Sequence, residues 1–299
     1  MENSMATERT FISLAEVAPE QTRWLWPNRI ALGAITLLEG DPGQGKSTVT
    51  YDLAARVTAG TPMPCCSTAA EPAGVLLLQS EDSPRETVRP NLQAAGGNPT
   101  LVRVNGQLLV IPDDIPAIEK VAAEISARLV VIDPLEAFFA GGITKSDSVR
   151  PTLQALVAVA ERGGLAVLLV RHLTKSPSRN VLYRGAGSVA ITAVARSVLR
   201  VGNDPACDDP NRHLLIQTKS NLSRAATTLA FRTTKLGGGV RIEWLGEVAG
   251  RAGDLVDAGP TDQSTLGDAI WILYCLLRER PLPAREVQRL AGDAGVARR

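Results

Sequence analysis

Residues 40–48 of this chain read Gly40-Asp41-Pro42-Gly43-Gln44-Gly45-Lys46-Ser47-Thr48. The stretch fits the pattern G-x-x-x-x-G-K-[ST] at every fixed position. Glycines in such a loop let consecutive backbone N–H groups turn inward around phosphate groups, the lysine reaches the β- and γ-phosphates, and the hydroxyl after it ligates Mg²⁺. We therefore predict that residues 40–48 bind a nucleotide, with Lys46 acting in catalysis and Ser47 as a metal ligand.

The flanking sequence has the setting that such a loop needs. An apolar run at 35–38 predicts a strand before the loop, and residues 47–59 predict a helix that ends at Gly60 and Pro62. The positive N-terminal end of that helix would point at the bound phosphates. The alternative is a glycine-rich turn that fits the pattern by chance, and the strand–loop–helix setting disfavours it.

Besides the Ser47 hydroxyl, an acidic side chain is needed to hold Mg²⁺. It should lie at the end of a strand beside the strand that precedes the phosphate loop. Residues 129–132 are four apolar residues, and Asp133 follows them directly. This arrangement predicts Asp133 as a metal ligand. The alternative interpretation of an acid at the end of a buried strand is a plain turn residue.

Hydrolysis also needs a base that orients the attacking water. Pro134 occupies the position directly after Asp133, where many ATPases with such a phosphate loop carry a glutamate. Glu81 lies just past a predicted strand at 74–79, on the edge where a parallel sheet binds ligands. We predict Glu81 as the catalytic base; Asp82 is the neighbouring candidate, and either acid could instead cap the next helix.

Predicted strands and helices alternate along most of the chain, which favours an α/β fold with a mainly parallel sheet. Further strands are predicted at 101–104, 129–132, 165–170 and 214–218, with helices at 86–95, 115–127 and 149–161, and residues 190–199 run into another strand. Aromatic residues make up only 4% of the 299 residues. The core is therefore expected to be aliphatic, as suits parallel strands with helices on both faces.

Composition and charge exclude few functions. The net charge is +1 and the hydrophobic fraction is 44%, so bulk charge favours neither nucleic acid nor a membrane surface. Apolar runs are only as long as strands, which predicts that nothing spans a membrane. The four cysteines lack metal-ligand spacing and are expected to be reduced, and residues 1–9 do not look like a signal peptide, so we expect a cytoplasmic protein.

Four regions are predicted. Residues 1–30 form an N-terminal lead-in, 31–248 form the ATPase core, and 249–263 form a linker rich in Gly, Ala and Asp. Residues 264–299 form a small helical C-terminal appendage, with helices at 265–279 and 282–290. That appendage looks like a partial helix-turn-helix or winged-helix-like unit that ends before any recognition helix.

A local basic field stands out against the neutral whole. No Asp or Glu occurs between Arg162 and Asn203, and the stretch carries Arg162, Arg171, Lys175, Arg179, Arg184, Arg196 and Arg200. Its loop-like middle suits contact with phosphates of single-stranded DNA. Lys175, Arg179, Tyr183 and Arg184 are the predicted DNA contacts, with Tyr183 able to stack on a base. The alternatives are an ordinary exposed basic loop and a loop that contacts ATP across an interface.

Together these motifs resemble the RecA/DnaB group of motor ATPases, and in particular the RepA-like hexameric replicative helicases, often labelled AAA-family ATPases. Besides the phosphate loop, the resemblance rests on Trp24-Leu25-Trp26-Pro27, Gln79-Ser80-Glu81-Asp82, Ile132-Asp133-Pro134-Leu135, Val170-Arg171-His172-Leu173-Thr174-Lys175, Arg184-Gly185-Ala186-Gly187-Ser188 and Lys219-Ser220-Asn221. It covers roughly residues 15–245. It implies a RecA-like core, ATP and Mg²⁺ as cofactors, and a homo-oligomer that forms a hexameric ring on single-stranded DNA.

The resemblance also assigns roles. Glu81 corresponds to the catalytic glutamate and His172 to a γ-phosphate sensor. Lys219 matches a lysine that acts on the neighbouring subunit's site, and Arg224 is our choice for the arginine finger, because Asn221 stands where the family usually carries that arginine. The predicted function is that of a replicative DNA helicase; the alternative is an ATP-dependent switch that assembles on DNA or a protein partner without unwinding.

Overall fold

The structure is a computed structural model, and it describes residues 13–140, 142–143, 146–173 and 189–248. Its strands are β1 Trp24–Trp26, β2 Ile30–Ala31, β3 Ala34–Gly40, β4 Gly74–Gln79, β5 Val102–Val104, β6 Ala127–Asp133, β7 Ala166–His172, β8 Ser197–Asn203, β9 Arg212–Ser220, β10 Thr228–Leu236 and β11 Gly239–Val248. Its α-helices are α1 Lys46–Ala59, α2 Arg89–Ala94, α3 Ile115–Glu124, α4 Ser146–Gly163 and α5 Val189–Val194.

Nine strands form one sheet in the order β11-β10-β9-β8-β3-β7-β6-β4-β5. The six strands from β8 to β5 are parallel to their neighbours, while β9, β10 and β11 extend the sheet antiparallel beyond β8. This confirms the predicted α/β fold with a mainly parallel sheet.

Two large and mainly aliphatic cores lie on opposite faces of the sheet, because successive strand residues point to opposite sides. Ile35 and Leu37 of β3 pack in the core that α3, α4 and α5 cover. Leu38 packs on the other face, with α1 and α2. Burying each such side chain stabilises the fold by about 1.5–3 kcal/mol, so the phosphate loop leaves a strand that is fixed from both sides.

The end of the predicted lead-in is part of this core. Trp26 is fully buried, its Nε1 donates to the Pro64 carbonyl at 3.1 Å, and its ring meets Trp244 edge-on at 5.7 Å. The short β1–β2 pair thereby fastens residues 24–31 to the helix-α1 face of the domain.

Two helix predictions need correction. Instead of one helix over 86–95, a π-helical turn at Pro84–Val88 precedes α2. Pro90 has no backbone N–H to donate, and the Val88 N–H reaches back five residues to the Ser83 carbonyl at 3.0 Å. Helix α3 ends at Glu124 rather than at 127, because Ser126 takes a positive φ of 49° and Ala127 already begins β6.

The β10–β11 hairpin is an element that the sequence prediction missed. Gly237 and Gly238, with φ of 57° and 84°, form its turn. The hairpin is fastened to the helices beside the site, because the Val240 N–H donates to Asn91 Oδ1 at 2.7 Å and Trp244 Nε1 donates to Asp52 Oδ2 at 2.9 Å. The β10–β11 hairpin therefore packs beside α1 and α2 and enlarges the core on that face of the sheet.

The predicted linker and C-terminal appendage, residues 249–299, lie outside the described residues. Within the described ranges, no helix is both long enough and apolar enough to cross a membrane.

Candidate active site

Strand register assembles the site at one edge of the sheet. In the parallel pairs, Gly40 lies opposite His172, and Gln79 lies opposite Asp133. The carboxyl ends of β3, β7, β6 and β4 are therefore level with one another, at the edge where open parallel sheets bind ligands.

The phosphate loop begins where β3 ends, and α1 begins at Lys46. Gly45 has a φ of 82°, a left-handed conformation that favours glycine. A Cβ on Gly40 would lie 2.5 Å from the Val201 carbonyl oxygen, so a side chain there would collide with β8. Lys46 is buried, and its Nζ donates to the carbonyls of Gly40 and Asp41 at 2.9 and 2.8 Å.

Asp133 and Ser47 fit a magnesium ion. Oδ2 of Asp133 is buried and has no hydrogen-bond partner among the described residues, and the Ser47 hydroxyl lies near the carboxyl group. Burial raises the pKa of Asp133 to about 6, the nearby Asp82 and Glu81 carboxylates add to the rise, and Ser47 and Lys46 oppose it. A divalent cation would favour the ionised form and satisfy the buried oxygen.

Glu81 and Asp82 follow β4 but differ in their contacts. Oδ2 of Asp82 accepts a hydrogen bond from the Tyr51 hydroxyl at 2.5 Å. Glu81 is exposed, and its charge acts on Lys46, His172 and Asp133. Asp82 thus serves the local structure, while Glu81 has a carboxylate available to a ligand; its role as the base stays a prediction.

His172 ends β7 and is half-buried. Burial lowers its pKa, the Lys46 ammonium lowers it further, and Glu81 opposes the shift. Nδ1 is buried without a hydrogen-bond partner among the described residues. A neutral imidazole beside the phosphate loop has one donor and one acceptor nitrogen, which is compatible with the predicted sensor role.

Glu136 is a residue at this edge that the sequence analysis missed. It lies one turn beyond Asp133, in the turn Leu135–Ala137. Burial raises the pKa of its carboxyl group, whereas the backbone N–H groups of Glu136 and His172 and the Arg171 guanidinium lower it. The sequence signal that could have identified Glu136 is its position three residues after Asp133, the predicted metal ligand.

A buried ion-pair network lies beneath the site and corrects the basic-field interpretation. Glu39 Oε2 accepts from Arg171 Nε and Nη2 at 3.0 and 2.6 Å, and Glu39 Oε1 accepts from Arg200 Nε at 3.1 Å. Both guanidiniums are buried, and the exposed Arg162 pairs with Glu119. Three arginines of the field therefore have structural partners, and Arg171 and Arg200 cannot contribute to a surface.

The four predicted DNA contacts, Lys175, Arg179, Tyr183 and Arg184, lie outside the described residues. Arg196, in contrast, is described and exposed.

Lys219 and Arg224 lie away from their own phosphate loop. Lys219 pairs with Val198 near the start of β8, whereas Gly40 lies beside Val201, roughly 10 Å further along that strand. The Lys219 Nζ donates to the carbonyls of Thr192, Ala193 and Ala195 at 2.7, 3.1 and 2.8 Å and so closes the C-terminal end of α5. Arg224 is exposed in the turn after β9. Neither residue completes the site of its own subunit.

A family model described as an AAA domain matches residues 2–178. The chain belongs to this AAA_25 family. The match includes the phosphate loop, Glu81, Asp133 and His172.

Curated relatives of this AAA_25 chain are DNA repair proteins named RadA. The Halalkalibacterium halodurans protein is 28% identical over 152 residues, which are 49% of this chain and 29% of the relative. The Bacillus subtilis protein is 24% identical over 153 residues, 50% of this chain and 30% of the relative. The AAA_25 chain thus matches less than a third of the length of these relatives.

Among solved structures, the KaiC-like protein of Pyrococcus horikoshii OT3 superposes with a TM-score of 0.51 at 15% identity, over 74% of this chain and 99% of that one. At this identity the similarity supports the RecA-like fold of the AAA_25 chain and nothing finer.

Proposed function

We propose that this protein hydrolyses ATP with Mg²⁺ and uses the energy to move on single-stranded DNA as a homo-oligomeric ring. The observation that carries the proposal is the meeting of Lys46, Asp133, Glu81 and His172 at the carboxyl edge of four adjacent strands. These groups supply the phosphate contact, the metal ligand, the base and the sensor that ATP hydrolysis requires.

Each side chain has a defined task in this proposal. The Lys46 ammonium exchanges the Gly40 and Asp41 carbonyls for phosphate oxygens. Ser47 and Asp133 would hold Mg²⁺, which would supply positive charge beside the phosphates. Glu81 orients the attacking water and accepts its proton, while the neutral His172 donates a hydrogen bond toward the γ-phosphate.

Support for a DNA partner comes from two sources. The matching relatives are named DNA repair proteins. In addition, residues 174–188, which follow β7 in the sequence, include basic residues and no acid. Since phosphate contacts give affinity without sequence preference, this chemistry suits single-stranded DNA of any sequence.

The test is the steady-state ATPase rate with and without single-stranded DNA, at low and moderate salt, beside a Lys46→Ala control. We expect a rate that DNA raises several-fold, that salt weakens and that the control lacks, followed by duplex unwinding in a strand-displacement assay. An ATPase rate that ignores DNA would overturn the motor proposal and leave ATP hydrolysis intact.

A second candidate function is an ATP-dependent switch that assembles on DNA or a protein partner without unwinding. The observation favouring it is Lys219, whose ammonium group is satisfied by three carbonyls of its own subunit. A trans-acting lysine would have to leave these contacts. ATP-dependent assembly without strand displacement would support the switch.

A further inference from the structure

Tyr51 is a buried aromatic residue of α1 that the proposed chemistry does not use. It is 1% exposed, and its ring packs in the core between α1 and the sheet. Its hydroxyl donates to Asp82 Oδ2 at 2.5 Å, across 31 residues of sequence. Burial raises the pKa of Tyr51 far above its ordinary value, and the hydrogen bond to Asp82 adds to the rise. The hydroxyl therefore keeps its proton and remains a donor.

The turn that carries Glu81 is held at three points. Before Glu81, the Gln79 backbone makes two bonds with the Asn105 side chain, at 2.7 and 3.0 Å, and the Ser80 N–H donates to the Asp133 carbonyl at 3.3 Å. After Glu81, the Tyr51–Asp82 bond fixes the chain to α1, while Ser83 bonds only within the helical turn that follows it. Because Glu81 itself is exposed, its position depends on these neighbours.

We propose that Tyr51 is a positioning residue for hydrolysis: by holding Asp82 it places the Glu81 carboxylate over the phosphate loop. The inference rests on the proposed ATP hydrolysis. Tyr51 lies five residues after Lys46 on the same helix. One helix therefore carries both the phosphate-binding lysine and the tyrosine whose hydroxyl holds the turn of Glu81. The distance between base and phosphate is thereby set by α1 instead of by a mobile loop.

The test substitution is Tyr51→Phe, which removes the hydroxyl and keeps the ring in the core. We expect kcat to fall about tenfold, since small misplacements of a catalytic group cost one to two orders of magnitude. The Kd of a fluorescent ATP analogue should stay within about twofold, because Lys46 and Ser47 are untouched. A kcat equal to that of the wild type would overturn the proposal, and so would a loss of nucleotide affinity that accounts for the whole effect.

Substitutions at Asp82 test the same contact from its other end. Asp82→Ala should slow turnover as Tyr51→Phe does, and the double variant should be no slower than either single one, since both remove one interaction. Asp82→Asn keeps an acceptor oxygen for the tyrosine and should be several-fold faster than Asp82→Ala. If Asp82→Asn instead abolishes turnover while Tyr51→Phe does not, Asp82 is itself the base and the inference is wrong.

The matched control is Trp244→Phe. Trp244 also donates one hydrogen bond to an acid, Asp52 of α1, and that bond does not involve Asp82. Its kcat should be that of the wild type. Absence of Lys46-dependent ATPase activity in the wild type would refute the proposed function itself, whereas an active wild type with an equally active Tyr51→Phe would refute only the role of Tyr51.

Discussion

At the scale of single residues, Glu81 and Asp82 are adjacent carboxylates with separate tasks. Glu81→Gln keeps the size of the side chain and removes its basicity, so we expect kcat to fall by about 10²–10⁴-fold while ATP binding persists. Single-turnover hydrolysis and a nucleotide-binding titration measure the two effects. A Glu81→Gln protein that hydrolyses ATP at more than a tenth of the wild-type rate would exclude Glu81 as the base.

His213, which pairs with Asn203 near the end of β8, predicts a pH effect on stability. It is 5% exposed and its ring lies 5.4 Å from Phe231. Burial lowers its pKa, and the Asp209 carboxylate opposes the shift. Between the unfolded pKa of about 6.5 and the lower folded value, the unfolded chain binds more protons, so the free energy of unfolding falls as the pH drops through that window.

The check is a comparison of urea unfolding at pH 7.5 and 5.5 for the wild type and His213→Gln. The variant should lose less stability on acidification, whatever its stability at pH 7.5. An equal loss in both proteins would show that His213 does not titrate differently on folding.

Single residues were predictable from sequence where a motif imposes them. Lys46, Ser47 and Asp133 follow from a loop pattern and from an acid after an apolar strand, and the structure brings them to one edge. Tyr51 and Glu136 carry no such pattern. Their contacts join positions far apart in the chain or depend on a turn after β6, and only the folded sheet shows them.

At the scale of elements, Glu39 links β3, β7 and β8 through its bonds with Arg171 and Arg200. Glu39→Gln removes the negative charge that two buried guanidiniums share, so we expect a loss of about 3–5 kcal/mol in the free energy of unfolding. Urea denaturation measures it. The control is Glu119→Gln, at an exposed pair with Arg162, which should cost less than about 1 kcal/mol. Equal effects would mean that burial of the network contributes nothing.

Elements were predictable where apolar runs are continuous. Strand β4 lies at Gly74–Gln79, as its sequence predicts. The β10–β11 hairpin was missed because its strands mix threonine, arginine and lysine with apolar residues, although Gly237-Gly238 was a usable turn signal. The prediction of one helix over 86–95 was wrong because Pro90 has no backbone N–H to donate within a regular helix.

At the scale of the whole molecule, the position of Arg224 and Lys219 bears on assembly. Both lie at the opposite edge of the sheet from their own phosphate loop, so any action on ATP has to be on another subunit. A head-to-tail assembly would present that edge to the next phosphate loop, as heterologous interfaces do. The proposed ring therefore requires each active site to draw on two chains.

Mixing two inactive variants tests this requirement. Glu81→Gln subunits keep Arg224, and Arg224→Ala subunits keep Glu81; each alone should hydrolyse ATP slowly. In a random equal mixture, about one site in four pairs an intact Glu81 with a neighbour's intact Arg224, so turnover should rise to about a quarter of the wild-type rate. A mixture of Glu81→Gln with Lys46→Ala is the control. Lys46 and Glu81 both act in the site of their own subunit, so every subunit in this mixture lacks one of the two residues and no mixed site should be active. If the first mixture only averages its two components, Arg224 is not a trans-acting finger.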